Sequence, residues 1–196
     1  MPLCVITIIC WTRAGSSIRR LNTLSTSWWT LPWSAEELAI GHHGEECQLS
    51  DWQWGWGSSG GDGLHYQAQP KSQYKLVRVV KGSIWDVCVD IRADSPTFGM
   101  HESIELAGDT WTQLLVPPGL AHGFCTLEKD TEVSFSLTDY NDKEFLRGLL
   151  WSDPELKIDW PCREKPNYIY KRDQTWPNLK NLNSPFRWFL MNQFCK

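Results

Sequence analysis

Residues 75–91, KLVRVVKGSIWDVCVDI, decide the fold class of this chain. Apolar and polar residues alternate from Ser83 to Ile91 after a Lys81-Gly82 turn, and a period of two on either side of a tight turn is typical of a β-hairpin. Similar runs recur about every ten residues as far as Tyr140, with Pro, Gly or Asp turns between them, as in sandwiches and jelly rolls. The pattern predicts an all-β domain.

The composition indicates one globular domain. The chain has 196 residues, of which 21% are charged, and its formal net charge is −4. A negative charge without a long basic run argues against nucleic acid and anionic membranes as partners, and no run approaches the roughly 20 apolar residues of a spanning helix. The opening LCVITIICW has no basic residue before it, so we do not interpret it as a secretory signal. Seven cysteines without a CxxC pair indicate reduced thiols and a cytoplasmic location.

The character of the chain changes near residue 62. Seven of the thirteen tryptophans lie in residues 1–61, among Ser, Gly and Thr, without a sustained helix or strand period. We expect an atypical N-terminal segment (1–62), a barrel domain (63–179) and a C-terminal tail (180–196). Our hypothesis for residues 1–62 is disorder, a splice or translation out of the ancestral reading frame, because G-rich DNA in a shifted frame encodes many TGG tryptophans.

Three polar residues indicate a site inside the predicted barrel. His65 and Lys75 lie on either side of a Gln/Pro-rich turn, and His122 follows a Pro-Pro-Gly turn. Lys75 alternates in step with Val77 and Val79, so the three side chains share one face of the strand. The ammonium of Lys75 is therefore expected to face the interior, where it needs an anion. A single strand histidine is more often a hydrogen-bonded structural residue, but the three together favour a functional site.

A metal-dependent alternative comes from PPGLAHGF, residues 117–124, which fits the second half of the cupin pattern, PxGxxH. A metal cupin needs an earlier HxH and a glutamate, because the ion takes three or four N or O ligands. This chain has HYQ instead, which leaves only His65, His122 and Gln67, so we expect no metal. Two other groups are interpreted as surface residues, His101 and the HHGEEC run at 42–47.

Six stretches, taken in order, carry a resemblance to a known family. They are GLHYQ (63–67), KLVRVVKGSIWDVCVDIRADSPTFG (75–99), LLVPPGLAHGF (114–124), TDY (138–140), RGLLWSDPELKIDWP (147–161) and KRD (171–173). From about Gly63 to Pro177 the chain resembles the dTDP-4-dehydrorhamnose 3,5-epimerases. The resemblance implies a cupin-type double-stranded β-helix, or jelly roll, without metal or cofactor. It also implies a homodimer that acts on dTDP-4-dehydro-6-deoxy-D-glucose in dTDP-L-rhamnose biosynthesis.

The family's residue roles carry over to matching positions. Inverting C3 and C5 of a 4-keto sugar needs a base, an enolate stabiliser and an acid. The resemblance implies that His65 is the base, that Asp173 orients it, and that Lys75 neutralises the enolate at the C4 oxygen. Lys75, His122 and Arg172 match substrate-binding positions.

Several departures from the family affect function. Phe135 stands where the family has its proton-donating tyrosine, which makes Tyr140 the nearby phenol and our candidate for a fourth catalytic residue. On a regular strand Tyr140 faces the other side and reaches the site only across a bulge. Asp62 replaces an arginine that binds the diphosphate, and Leu146 replaces a glutamate. The family's nucleotide-contacting first strands have no counterpart before Gly63, so we expect atypical or missing first strands.

Three functions follow. The first is a 3,5-epimerase that is impaired or restricted to one carbon. The second is a catalytically silent cupin that binds a nucleotide sugar or serves as a dimerisation module, and the third is a metal cupin. Metal analysis separates the third from the others, and proton exchange into substrate separates the first from the second.

Overall fold

The computed structural model describes residues 5–12, 15–22, 60–161 and 168–188, in which the regular secondary structure is almost entirely β-strand. The strands are β1 (Val5–Thr12), β2 (Gly15–Asn22), β3 (Gly60–Gln67), β4 (Lys75–Lys81), β5 (Ser83–Asp90), β6 (His101–Ala107), β7 (Thr112–Val116), β8 (Leu120–Thr126), β9 (Glu132–Leu137), β10 (Leu146–Gly148) and β11 (Tyr168–Ile169). Two 3-10 turns follow at Lys171–Gln174 and Leu179–Asn181. In these ranges no helix is long and apolar enough to cross a membrane.

The strands form two sheets, which confirms the predicted all-β jelly roll. One sheet has the order β2-β1-β7-β4-β9, and the other has the order β10-β3-β8-β5-β6 with β11 beside β3. The β1–β7 and β3–β11 pairs are parallel, and the other pairs are antiparallel. Side chains from both sheets meet in one apolar cluster, so the sheets face each other across a shared core.

The predicted hairpin at the Lys81-Gly82 turn is wrong in its pairing, although both strands exist. β4 pairs with β7 and β9 in one sheet, whereas β5 pairs with β6 and β8 in the other. The chain crosses between the sheets at Gly82, where φ is +76° and a Cβ would lie 2.4 Å from Thr131 Oγ1. Alternation is the same in a hairpin and in two strands of opposite sheets, so the pattern does not separate the two arrangements.

β5 is buried on both faces, and this divides the core into two parts. Ile84 and Cys88 pack between the sheets. Val87 and Val89 pack on the outer side, in a second cluster that includes Phe186 from the C-terminal part of the chain. The polar positions of β5 therefore lie inside the barrel and not in solvent.

The segments that flank the predicted barrel contribute to it. Residues 1–61 lack a strand pattern, yet β1 and β2 extend the first sheet beyond β7. The predicted tail from residue 180 packs on the barrel, where Phe186 and Trp188 are buried. The backbone groups of both residues form hydrogen bonds with the backbone of Ala93. Residues 23–59, which include the HHGEEC run, and residues 189–196 lie outside the described residues, and the reading-frame hypothesis stays a prediction.

A buried carboxylate fixes the turn after β5. The oxygens of Asp90 accept hydrogen bonds from the backbone and guanidinium of Arg92 and from the hydroxyls of Ser95 and Thr97, at 2.6–2.9 Å. Burial raises the pKa of the Asp90 carboxyl, but the bonds and charge of Arg92 and the two hydroxyls lower it more, so the pKa lies below its usual value. The turn therefore stabilises the ionised form.

We expect Asp90→Asn to lower the free energy of unfolding by about 3 kcal/mol near neutral pH, because the guanidinium of Arg92 loses its carboxylate at a nearly buried position. Since the folded pKa is lowered, the stabilisation is complete above the unfolded pKa of about 3.9 and is lost as pH falls toward the folded pKa. Urea titrations at several pH values measure both effects, and the difference between the two proteins should shrink in acid.

The matched control is Asp94→Asn, which removes an ion pair with Arg187 whose side chains are 56% and 61% exposed. A surface pair of this kind contributes about 1 kcal/mol or less. Equal losses in the two variants would contradict a structural role for the buried carboxylate of Asp90.

Candidate active site

His65 and Asp173 form a buried hydrogen-bonded pair. His65 Nε2 lies 2.6 Å from Asp173 Oδ1, and the carboxylate also accepts hydrogen bonds from the Trp176 indole N–H at 3.1 Å and the Gly63 backbone N–H at 3.4 Å. Burial raises the pKa of the Asp173 carboxyl, but the hydrogen bond and charge of His65 and the two other donors lower it more, so the pKa is below its usual value. An ionised Asp173 orients the imidazole and stabilises its cationic form.

Two glycines make room for this pair. Gly63 has a φ of +116°, and a Cβ there would lie 2.7 Å from the carbonyl oxygen of His122. At Gly148 a Cβ would lie 2.5 Å from the indole ring of Trp176, the ring that donates to Asp173. Glycine at both positions is therefore required by close approach of neighbouring groups.

A second histidine–carboxylate pair lies beside the first. His122 on β8 is the direct cross-strand partner of His65 on β3, and His122 Nε2 lies 2.8 Å from Asp86 Oδ2. His122 is 3% exposed and Asp86 is 0% exposed. Asp86 was not predictable as a site residue, because its alternation with apolar neighbours is equally typical of a solvent-facing position. Cys88 at the next polar position was the available signal, since cysteine is among the most often buried residues.

A partly open cavity of about 70 Å³ lies between the two sheets, next to these pairs. His65 and His122 line it from one sheet, and Lys75 lines it from the other. Arg172, which precedes Asp173 in a 3-10 turn, also lines the cavity. The structure therefore brings these four predicted site residues to one cavity, with Asp173 bonded to His65. The other lining residues are Gln67, Gln73, Phe124, Phe135, Leu137, Asn141 and Leu146.

Phe135, which stands where the family has a tyrosine, lines the cavity, but Tyr140 does not. Phe135 lies on β9, and its ring centroid is 6.1 Å from that of His122. Tyr140 follows the end of β9, is 49% exposed and does not line the cavity. Its backbone carbonyl accepts a hydrogen bond from Gln67 at 3.4 Å. The structure does not bring the Tyr140 phenol to the cavity, although Leu137 at the end of β9 and Asn141, the residue after Tyr140, both line it.

Two other departures have different outcomes in the structure. Leu146 lines the cavity, so an apolar side chain stands where the resemblance places a glutamate. The side chain of Asp62 lies outside the described part of the chain.

One donor set inside the barrel has a metal-like composition. The ligand atoms of Asp86, Cys88 and His122 lie within 4.8 Å of one another. This set does not fit a divalent ion well, because it offers only three donors and two of them, His122 Nε2 and Asp86 Oδ2, are already hydrogen-bonded to each other at 2.8 Å. The positive charge of Lys75 is close enough to interact with the Cys88 thiol. This charge would repel a metal ion bound to the same three residues.

We therefore expect the purified protein to contain no stoichiometric metal, as measured by elemental analysis. Cys88→Ala should leave the metal content unchanged. One iron, nickel, manganese or zinc per chain, with activity lost on chelation, would contradict the metal-free mechanism.

A jelly roll with two buried histidine–carboxylate pairs and a lysine at one cavity defines an acid–base site of the cupin class. A family model described as dTDP-4-dehydrorhamnose 3,5-epimerase matches residues 61–181, and the chain belongs to this family. It is 42% identical over 127 residues to the dTDP-4-dehydrorhamnose 3,5-epimerase of Sinorhizobium fredii, a match that covers 64% of each chain. The match spans 64% of the length of that relative and 56% of the length of the Shigella flexneri enzyme, so the chain corresponds to only part of these relatives.

Solved structures show the same fold. The Mycobacterium tuberculosis epimerase superposes with a TM-score of 0.70 at 26% identity, covering 98% of this chain and 92% of that one. The 3,5-epimerase of Legionella pneumophila, in complex with dTDP-4-keto-L-rhamnose, superposes with a TM-score of 0.62 at 27% identity, covering 92% and 89%.

Proposed function

We propose that this chain is a nucleotide-sugar isomerase that takes and returns protons at C3 and C5 of dTDP-4-dehydro-6-deoxy-D-glucose, with impaired conversion to the inverted sugar of dTDP-L-rhamnose biosynthesis. The observation that carries the proposal is the His65–Asp173 pair beside a cavity that Lys75 also lines. The Legionella complex with a dTDP-4-keto sugar supports the substrate class.

His65 serves as the base in this proposal. A carboxylate only accepts hydrogen bonds, so Asp173 favours the tautomer that carries its proton on Nε2 of His65. The proton taken from a carbon next to the ketone therefore goes to Nδ1. The imidazolium that forms is stabilised by the ionised Asp173, which makes the abstraction easier.

Lys75 and Arg172 supply the positive charges that the substrate needs. Removing a proton next to the ketone places negative charge on the C4 oxygen, and an ammonium held beside that oxygen neutralises it. Arg172 has a half-exposed side chain, and its guanidinium lies over the Tyr170 ring at 5.0 Å. A guanidinium held at the cavity in this way is suited to a diphosphate.

Phe135 determines what happens after the proton is removed. Inversion requires a donor on the opposite face of the enolate, and a phenyl ring fills that place without donating. His65 can still return a proton to the face from which it was taken. The expected activity is therefore exchange of the C3 and C5 protons with water, with slow inversion.

The test is to incubate the substrate in D₂O with the protein and to follow the C3 and C5 proton signals by NMR. Loss of these signals supports the proposal. Binding of the nucleotide sugar without any loss of signal would instead establish the second candidate, a catalytically silent cupin, for which the replacement of the donor by Phe135 is the supporting observation.

We also propose that the chain works as a homodimer in the cytoplasm. Support for the dimer comes from the family resemblance, and support for the compartment comes from Cys88 and Cys125, which are buried unbridged thiols. Light scattering of the purified protein at several concentrations tests the dimer, and a monomer throughout would contradict it.

A further inference from the structure

Two glutamines near the proposed base and lysine have side-chain carbonyl oxygens that accept no hydrogen bond from the described residues. Gln67 is 3% exposed and Gln73 is 6% exposed, and both line the cavity. Among the described residues, neither side-chain carbonyl oxygen has a hydrogen-bond partner. Buried polar atoms are nearly always paired, so two unpaired acceptors at one cavity need an explanation.

The positions of these glutamines tie them to the reacting end of the site. Gln67 is two residues after His65 on β3, and Gln73 is two residues before Lys75 at the start of β4. The amide N–H₂ group of Gln67 donates a hydrogen bond to the Tyr140 carbonyl at 3.4 Å. Its carbonyl oxygen is therefore the atom left to accept a bond.

We propose that Gln67 and Gln73 accept hydrogen bonds from hydroxyl groups of the substrate's sugar ring and make the site selective for a hydroxylated sugar over the nucleotide alone. The inference rests on the proposed function, because it takes a nucleotide sugar as the ligand. In a 4-dehydro-6-deoxyhexose, C4 is a ketone and C6 is a methyl group, so the donors next to the reacting carbons are the C2 and C3 hydroxyls. A neutral hydroxyl satisfies an amide carbonyl beside Lys75 without adding further positive charge.

The unpaired carbonyl oxygens should also affect the stability of the free protein. An unpaired buried carbonyl destabilises the free protein, and leucine at the same place carries no polar atom to satisfy. We expect Gln73→Leu to melt at the same temperature as the unaltered protein or higher, although it binds the sugar less tightly. Weaker binding from a damaged fold would instead come with a lower melting temperature.

The experiment compares dTDP with dTDP-6-deoxy-D-glucose by calorimetry. Gln67→Leu and Gln73→Leu should each lower the affinity for the sugar nucleotide by about 10-fold. The affinity for dTDP should stay within about twofold of that of the unaltered protein. The control is Gln113→Leu on β7, which does not line the cavity and should change neither affinity. The 2-deoxy analogue should bind the unaltered protein less tightly than the parent sugar, and one of the two variants should no longer distinguish them.

The outcomes separate the two proposals. If both variants bind the sugar nucleotide as tightly as the unaltered protein does, this inference is wrong and the proposed function stands. An equal loss of affinity for dTDP and for the sugar nucleotide would also overturn it, because the glutamines would then bind the nucleotide or stabilise the fold. If the unaltered protein binds neither ligand, the proposed function fails and the inference falls with it.

Discussion

Replacing His65 by asparagine should abolish deuterium uptake by the substrate, a loss of about 10²–10⁴-fold or more. Asparagine preserves a polar side chain of similar reach but cannot take a proton at neutral pH. The expected loss follows from the geometry, because His65 is bonded to Asp173, an ionised carboxylate that holds the imidazole for proton transfer. Mass spectrometry of the recovered nucleotide sugar measures the uptake.

Two further variants make the His65 result specific. Asp173→Asn should weaken exchange less than His65→Asn, because the imidazole remains but its orientation and its cation lose support. His101→Asn, on β6 and away from the cavity, should leave exchange unchanged. If His65→Asn exchanges as fast as the unaltered protein, another group is the base and the assignment is wrong.

Replacing Phe135 by tyrosine should raise formation of the inverted sugar by about 10²–10⁴-fold, the usual contribution of a positioned general acid. The ring of Phe135 already lies in the cavity, 6.1 Å from the His122 ring, so the added hydroxyl is placed at the site without rebuilding the strand. Deuterium uptake should change much less than product formation, because proton removal by His65 does not need the donor. Chromatography of the reaction mixture over time measures the inverted product.

The control for this gain is Phe98→Tyr, which adds the same hydroxyl at a residue that is 38% exposed and outside the cavity. It should leave product formation unchanged, and Tyr140→Phe should do the same. If Phe135→Tyr binds the nucleotide sugar normally but forms no more product, the absence of a phenol is not what limits inversion.

The strand positions were predictable from the sequence, but the strand pairing was not. Alternation depends only on which face each side chain occupies, so it located β4 and β5 correctly. It contains no information about the neighbouring strand, and the two strands belong to opposite sheets. The crossing depends on the close contact between Gly82 and Thr131, which are 49 positions apart and leave no local pattern.

A site residue was predictable where a sequence motif, or the alternation of side chains along a strand, identifies it. Parity with Val77 and Val79 indicated that Lys75 faces the interior, and the structure places it at the cavity. The contact between His65 and Asp173 spans 108 positions, so only the family resemblance indicated it. Asp86 was missed because β5 is buried on both faces, and a strand of that kind hides its inner polar side chains among alternating ones.

Proton removal and inversion are separated best by following deuterium uptake and inverted product together, in one reaction of the unaltered protein in D₂O. Deuterium should appear at C3, C5 or both well before inverted product accumulates, because His65 removes protons while Phe135 cannot return them to the other face. Inverted product that appears as fast as deuterium, and is undiminished by Tyr140→Phe, would contradict it.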